Sequence, residues 1–281
     1  MKEDKYYHKR QNETRKSHPP RRSEERGAYG AETPNEGLVS GRNAVKELLS
    51  GERDIDKIFV ARGDREGSIV AIVGEAVAQK IPVVEVDRKR LDGMCGHNRH
   101  QGVVAMASEH AYVSVDDILA YAKERGEAPL LLIADEIEDP HNLGALIRSA
   151  ECAGAHGLII PKRRAVGLTS VVAKASAGAI EHLRVAKVTN LANTIDKLKE
   201  KGMWIYAADM DGEQYDKTDF RGPVAFVLGS EGFGISRLVK EKCDFVVSIP
   251  LHGKVNSLNV SAAGAVLLFE AARQRAEQIS K

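Results

Sequence analysis

The sequence predicts an α/β protein made of two consecutive units, the second built on a mainly parallel sheet. Three observations predict it. Short apolar runs such as "LLLIAD", "GLIIP" and "VAFVLG" carry no alternation, as strands buried on both faces do. These runs alternate with longer segments of helical periodicity, such as "SIVAIVGEAVAQK" and "LANTIDKLKEKG", which implies parallel strands joined by crossover helices. A composition of 43 % apolar and 29 % charged residues over 281 positions gives ample core material for one large domain or two ordinary ones.

Order is expected from about Gly37. "EGLVSGRNAVKELLSG" reads as a short start and a helix from about Arg42 to Leu49, closed by Gly51. "IDKIFVA" is a strand, "SIVAIVGEAVAQK" a helix with an apolar stripe, "IPVVEVD" a strand, "RKRLDGMC" a short helix and "GVVAMAS" a strand. A linker containing a helix, "HAYVSVDDILAYAKERGEAP", leads to the second unit at Pro129. There "LLLIAD" is a strand, followed by a helix from about Leu143 to Ala153. "GLIIP", "LRVAKV", "MWIYAAD", "VAFVLGS" and "FVVSIP" are the further strands. The helices between them are "SVVAKASAGA", "LANTIDKLKEKG" and "ISRLVKEKC", and a last one runs from about Val260 to Gln278. The boundaries expected are a disordered basic extension over 1–36, a first domain over 37–110, a linker over 111–128 and a second domain over 129–281.

Composition and charge narrow the function. No apolar run approaches the roughly 20 residues of a membrane helix, and the N-terminus has no apolar signal segment. Cys95, Cys152 and Cys243 form no paired or metal-ligand spacing, so inert thiols in a cytoplasmic protein are expected, with no metal and no membrane. Up to Arg22, eight basic residues face three acidic ones. Such an arm lies on nucleic acid through phosphate contacts, or is merely a solvated tail.

Open parallel sheets bind ligands beyond the carboxyl ends of their strands. Three strand ends of the second unit carry Gly, Asn, Ser and a carboxylate: "EIEDPHNLGALIRSAECAG", "SEGFG" and "LHGKVNSLNVSAAG". "GLIIP" is followed only by a basic loop, "KRRAVG". Taken alone, Asn142 reads first as a helix cap. Arg148, six positions on, lies off its helical face in an otherwise small, apolar run, which places it in a partly enclosed position. "GSEGFG" lacks the spacing of a dinucleotide or phosphate loop. Its glycines 229, 232 and 234 would let backbone approach a ligand, with Glu231 a positioned carboxylate.

Together these loops resemble the three motifs of the SpoU branch of the SPOUT RNA methyltransferases: "DPHNLGALIRSAE" (139–151), "VLGSEGFG" (227–234) and "IPLHGKVNSLNVSAA" (249–263). The resemblance covers about residues 129–276. It implies a domain with a deep trefoil knot that binds S-adenosylmethionine and methylates ribose 2′-hydroxyls. Residues 37–109 resemble the family's small ribosomal-protein-like αβα RNA-binding domain. "HNRHQGVVA" (97–105) resembles the members that modify a guanosine of 23S rRNA. By the resemblance, Gly229, Ile249 and Leu258 contact the cofactor. Arg148 is the general base or an electrostatic stabiliser, and Asn142, Glu231, Ser257 and Asn259 orient it, the cofactor or the ribose. Arg42, Asn43, His100 and Gln101 are expected on RNA, although Arg42 and Asn43 also suit an ordinary helix start and His100 a loop. A homodimer is implied. Two alternatives stay open: a tRNA guanosine methyltransferase of the same branch, and a non-catalytic RNA-binding protein.

Overall fold

A computed structural model of the chain describes residues 37–51, 53–63 and 67–279. The basic arm read as disordered lies outside them.

Residues 38–107 form a four-stranded sheet in the order β1-β4-β2-β3, from strands β1 (Leu38–Ser40), β2 (Ile55–Ala61), β3 (Val83–Val86) and β4 (Val103–Ala107). Only β2 and β3 pair in parallel. Helices α1 (Arg42–Ser50) and α2 (Ser68–Ala78) cover one face through Val45, Leu49, Ile69 and Ile72, while Leu91 of α3 (Arg88–Cys95) packs on the other. The expected αβα layering is present.

The second sheet is wholly parallel, in the order β10-β8-β9-β5-β6-β7. Its strands are β5 (Leu130–Ala134), β6 (Gly157–Pro161), β7 (Arg184–Val188), β8 (Trp204–Gln214), β9 (Val224–Leu228) and β10 (Phe245–Ser248). Successive residues of a strand point to opposite faces. Leu130 and Leu132 accordingly join α5 (Pro140–Cys152), α6 (Ser170–Ser176) and α9 (Val260–Ile279) in one core. Leu131 and Ile133 join α4 (Val115–Glu124), α7 (Leu191–Glu200) and α8 (Arg237–Lys242) in the other. Both faces are covered, which is why these strands read as unbroken apolar runs. Helix α4, expected within a linker, is built into the second core by fully buried Ile118. Among the described residues no helix is long and apolar enough to cross a membrane, and no group of His, Cys, Asp and Glu could hold a metal. The three cysteines are free; burial pushes the Cys243 thiol up to about 12, and Cys152 is exposed.

The two sheets meet at a buried polar junction. Tyr112 Oη donates to Asp56 Oδ1 of β2 at 2.7 Å and accepts from the Leu168 N–H at 3.0 Å. Lys187 of β7 closes an ion pair with the same Asp56 oxygen, and both side chains are buried. Burial pulls the Lys187 ammonium below its ordinary value against the pull of Asp56, and pushes the Tyr112 phenol well up.

A second buried group sets a pH dependence. His156 accepts the Leu130 N–H at its Nδ1, 3.1 Å away, so its proton sits on Nε2, 3.1 Å from Glu127 Oε2. Burial lowers its pKa, and Glu127 only partly opposes that. As pH falls through the ordinary histidine value of about 6.5, the unfolded chain takes up this proton before the folded one. Stability is therefore lost between that value and the lower folded one. Melting temperature is expected to drop from pH 7.5 to pH 5.5, less steeply in His156→Gln; equal slopes would remove His156 as the cause.

Candidate active site

All six parallel strands end on one edge, and the loops leaving β5, β9 and β10 gather there. The first loop starts α5 with Asp139 as its cap, whose Oδ1 accepts the His141 N–H at 2.8 Å, and Pro140 follows in the first turn. Asn142 is thus inside the helix, not its cap. It is 7 % exposed, and a buried carboxamide needs partners.

The second loop supplies one partner. Ser230 and Gly234 exchange backbone hydrogen bonds of 3.1 and 2.8 Å, which puts Glu231, Gly232 and Phe233 at the tip of a tight turn. Gly234 closes it in the left-handed region, at φ +67°, as three-residue hairpin loops require. Buried Asp135, at the end of β5, anchors the turn by accepting the Ser236 N–H at 2.7 Å. Asn142 Nδ2 donates to Glu231 Oε1 at 2.9 Å.

The third loop completes the cluster. Asn259 Nδ2 donates to Asn142 Oδ1 at 2.8 Å and to Glu231 Oε1 at 2.7 Å. Its Oδ1 accepts the Ser261 N–H at 2.9 Å and so caps α9. One side chain both starts the last helix and ties three loops together. Glu231 Oε2 is left without a partner among the described residues, able to accept from a ligand hydroxyl.

Beside the cluster lies a cavity of about 490 Å³, within the range of small-molecule sites. Gly229, Ile249 and Leu258 line it with Ser257, Asn259 and Glu231, so all three expected cofactor contacts share one space with three expected polar residues. Gly229 has no room for a side chain, since a Cβ would lie 2.0 Å from the Gly234 carbonyl carbon. Gly232 is in open space. Ala208, Asp209 and Met210 line the cavity too and were not anticipated. Their signal was present, because "MWIYAAD" is a strand whose end lies on the same edge. Burial favours a neutral Asp209, but the Lys240 ammonium at 2.6 Å and the Met210 N–H outweigh it and hold the carboxyl below its ordinary value.

Two expectations are corrected. Arg148 is not enclosed: it is exposed, lines neither this cavity nor its neighbour, and makes no hydrogen bond or ion pair among the described residues. Six residues turn a helix by about 240° past a full turn, which carries it off the face that Asn142 presents. His100 is fully buried; its Nε2 bonds Asp92 at 3.0 Å and its Nδ1 accepts the Gly102 N–H at 3.0 Å, which leaves no ring nitrogen for RNA. The "HNRH" histidine at 100 therefore shapes the loop that presents its neighbour. Gln101 accepts the Arg42 N–H at 3.0 Å and also the Arg42 Nε at its own carbonyl. Arg42, Asn43 and Gln101 line one shallow groove together with Ser68 and Arg88.

Known proteins resemble this chain over both of its sheet-bearing units. The profile of the SpoU rRNA Methylase family matches residues 129–269, and that of RNA 2′-O ribose methyltransferase substrate-binding domains matches 38–113. A protein of Bacillus subtilis (strain 168) described as a TrmH family tRNA/rRNA methyltransferase is 48 % identical over 84 % of this chain and 95 % of its own. A Staphylococcus aureus (strain MRSA252) protein of the same description is 44 % identical over 85 % and 96 %. Among solved structures, an AdoMet-bound rRNA methyltransferase from Sinorhizobium meliloti is similar at TM-score 0.53 and 25 % identity, over 84 % of this chain and 86 % of that one. A TrmH family protein from Porphyromonas gingivalis is similar at TM-score 0.51 and 26 % identity, over 84 % and 89 %.

Proposed function

Because the chain belongs to the SpoU rRNA methylase family, and is an RNA methyltransferase on that ground, we propose that it transfers a methyl group from S-adenosylmethionine to the ribose 2′-oxygen of a guanosine in 23S rRNA, as a cytoplasmic homodimer. One observation carries the reading: the cavity lined by Gly229, Ile249 and Leu258 opens directly onto the Asn142–Glu231–Asn259 cluster.

Bound in that cavity, S-adenosylmethionine supplies a methyl group on a good leaving group. The protein's work is then to position the 2′-oxygen and to deal with its proton. Glu231 Oε2 is free to accept from a ribose hydroxyl while Asn142 and Asn259 hold the carboxylate still. Ser257, exposed at the same wall, adds a hydroxyl that reorients freely. Arg148 brings positive charge to the developing alkoxide. Its solvent-facing position suits a site completed by a second copy of the chain. Exposed apolar side chains support that dimer: Leu251 and Leu258 line the cavity and are partly exposed, Val255 of the same loop is 73 % exposed and Phe269 of α9 half-exposed. A knotted third loop belongs to the same reading. The groove of Arg42, Asn43 and Gln101 is the RNA-holding surface.

The substrate-binding match over 38–113 favours an RNA held at a distance from the reacting ribose. The tRNA alternative shares every step of the chemistry. The test is methyl transfer from labelled cofactor to unmodified 23S and tRNA transcripts, followed by nucleoside mass spectrometry and sedimentation of the same preparation. 2′-O-Methylguanosine in 23S RNA and a dimer at micromolar concentration are expected. Label confined to tRNA would overturn the rRNA assignment, a monomer the dimer, and absence of cofactor binding in calorimetry of the same preparation the catalytic reading itself.

A further inference from the structure

The turn that carries Glu231 borders a second cavity, which the chemistry above leaves unused. It has a volume of about 590 Å³ and shares Ser230, Glu231 and Val260 with the cofactor cavity. Asn142 lines it as well. A nucleoside lying there reaches the polar cluster by a second approach, beside the methyl donor.

Two of its walls have no task in the fold. Phe233 sits at the tip of the turn between Gly232 and Gly234 and is 95 % exposed. A single exposed apolar residue is ordinary. A ring presented on a pinned turn at the mouth of a polar cavity is suited to stack on a base. Glu138 is exposed and makes no hydrogen bond or ion pair among the described residues. The other carboxylates of this cavity each hold a partner through one oxygen already. Glu136 accepts from Arg164 at 2.7 Å, Asp139 caps α5, and Glu231 belongs to the cluster.

The geometry points to this cavity as the seat of the target base, a guanine stacked on Phe233 with its N1–H and N2–H groups donating to the Glu138 carboxylate. The inference deepens the methyltransferase reading and rests on it. Guanine alone among the four RNA bases presents two adjacent donors on its pairing edge. Adenine and cytosine put a ring acceptor beside one amino donor, and uracil sets a single N–H between two carbonyls. An ionised carboxylate only accepts, so for those bases one of its oxygens meets a lone pair. A charged acceptor makes the stronger kind of hydrogen bond, and unpaired single-stranded RNA exposes this edge. Carboxylates lining the cavity disfavour a phosphate inside it. Arg164, held at the rim by Glu136 through one guanidinium nitrogen, keeps its other donors for the nucleotide's own phosphate. The residue that reads the base is then separate from the residues that handle the ribose.

The test uses the full-length chain with S-adenosylhomocysteine bound, and GMP, AMP, CMP and UMP as probes in equilibrium dialysis. GMP is expected to bind at least about tenfold tighter than the other three, as charged hydrogen bonds allow. Glu138→Gln is expected to erase that preference, and Phe233→Ala to weaken all four by roughly tenfold. S-Adenosylhomocysteine affinity is expected to stay the same in both variants. Equal binding of the four nucleotides by the wild type, or a GMP preference that survives Glu138→Gln, overturns the base pocket. Methyl transfer to RNA, measured in parallel, separates the two levels. Transfer without a GMP preference removes only the pocket, whereas a wild type that binds no S-adenosylhomocysteine removes the methyltransferase reading and this one with it.

Discussion

Arg148→Ala is expected to bring methyl transfer to background, a loss of at least about a thousandfold, with thermal unfolding unchanged within about 1 °C. The two halves of this result have one cause. Arg148 is exposed on α5 and bonds to nothing in its own chain among the described residues, so the fold does not miss it. An arginine side chain offers only hydrogen-bond donors and no acceptor, which makes stabilisation of a developing alkoxide its natural role and proton removal an unnatural one. Arg148→Lys discriminates. Charge stabilisation predicts partial activity with an unshifted pH profile. A guanidinium that removes the proton predicts a profile that moves with the substituted group. A rate near wild type in a folded Arg148→Ala protein would take this residue out of the chemistry.

Gly229→Ala is expected to weaken S-adenosylmethionine binding by at least about a hundredfold and to lower the melting temperature by several degrees. The added methyl would stand 2.2 Å from the Ile235 nitrogen and 2.3 Å from the Gly234 oxygen, both backbone atoms. That backbone is held at two places: the Ser230–Gly234 bonds close the turn, and Asp135 fixes Ser236 behind it. The turn can only move as a whole, which carries Glu231 away from Asn142 and Asn259 and deforms the cavity wall at Gly229. Gly232→Ala is the matched control. No atom lies within 4 Å of its virtual Cβ and its φ is not positive, so binding close to wild type is expected. Calorimetry on the two variants decides the matter. An unchanged affinity in Gly229→Ala would mean that the turn does not shape the cofactor cavity.

The strands of the second sheet were legible because burial on both faces leaves a local mark: Leu130 to Ala134 are all buried, and all apolar. Their order was not. β5 lies between β9 and β6, an arrangement of long-range pairings that no window of sequence records. The loops were legible as a site because Asn142, Glu231 and Asn259 exceed what caps and turns need, and the structure brings those three into contact. Position around a helix was only half legible. The six-residue step from Asn142 placed Arg148 off the site face, but apolar neighbours in sequence suggested enclosure and solvent surrounds it instead. His100 shows the opposite case, since a polar loop sequence hid a fully buried ring held by Asp92 and Gly102. Strand β8 ran on to Gln214, beyond its apolar part, because Ser248 and Val247 of β10 continue the pairing past an irregular register. Gly212 permits that close approach, its Cβ position being 2.5 Å from the Val246 and Val247 backbone.

The junction of Asp56, Tyr112 and Lys187 ties the first sheet to the second through a single buried carboxylate. Removing either charge by substitution would leave the other buried without its partner, at a cost of about 3–5 kcal/mol. One carboxylate thus serves as a rivet between the two sheets, with a phenol from the connecting segment and an ammonium from the second sheet both closing on it.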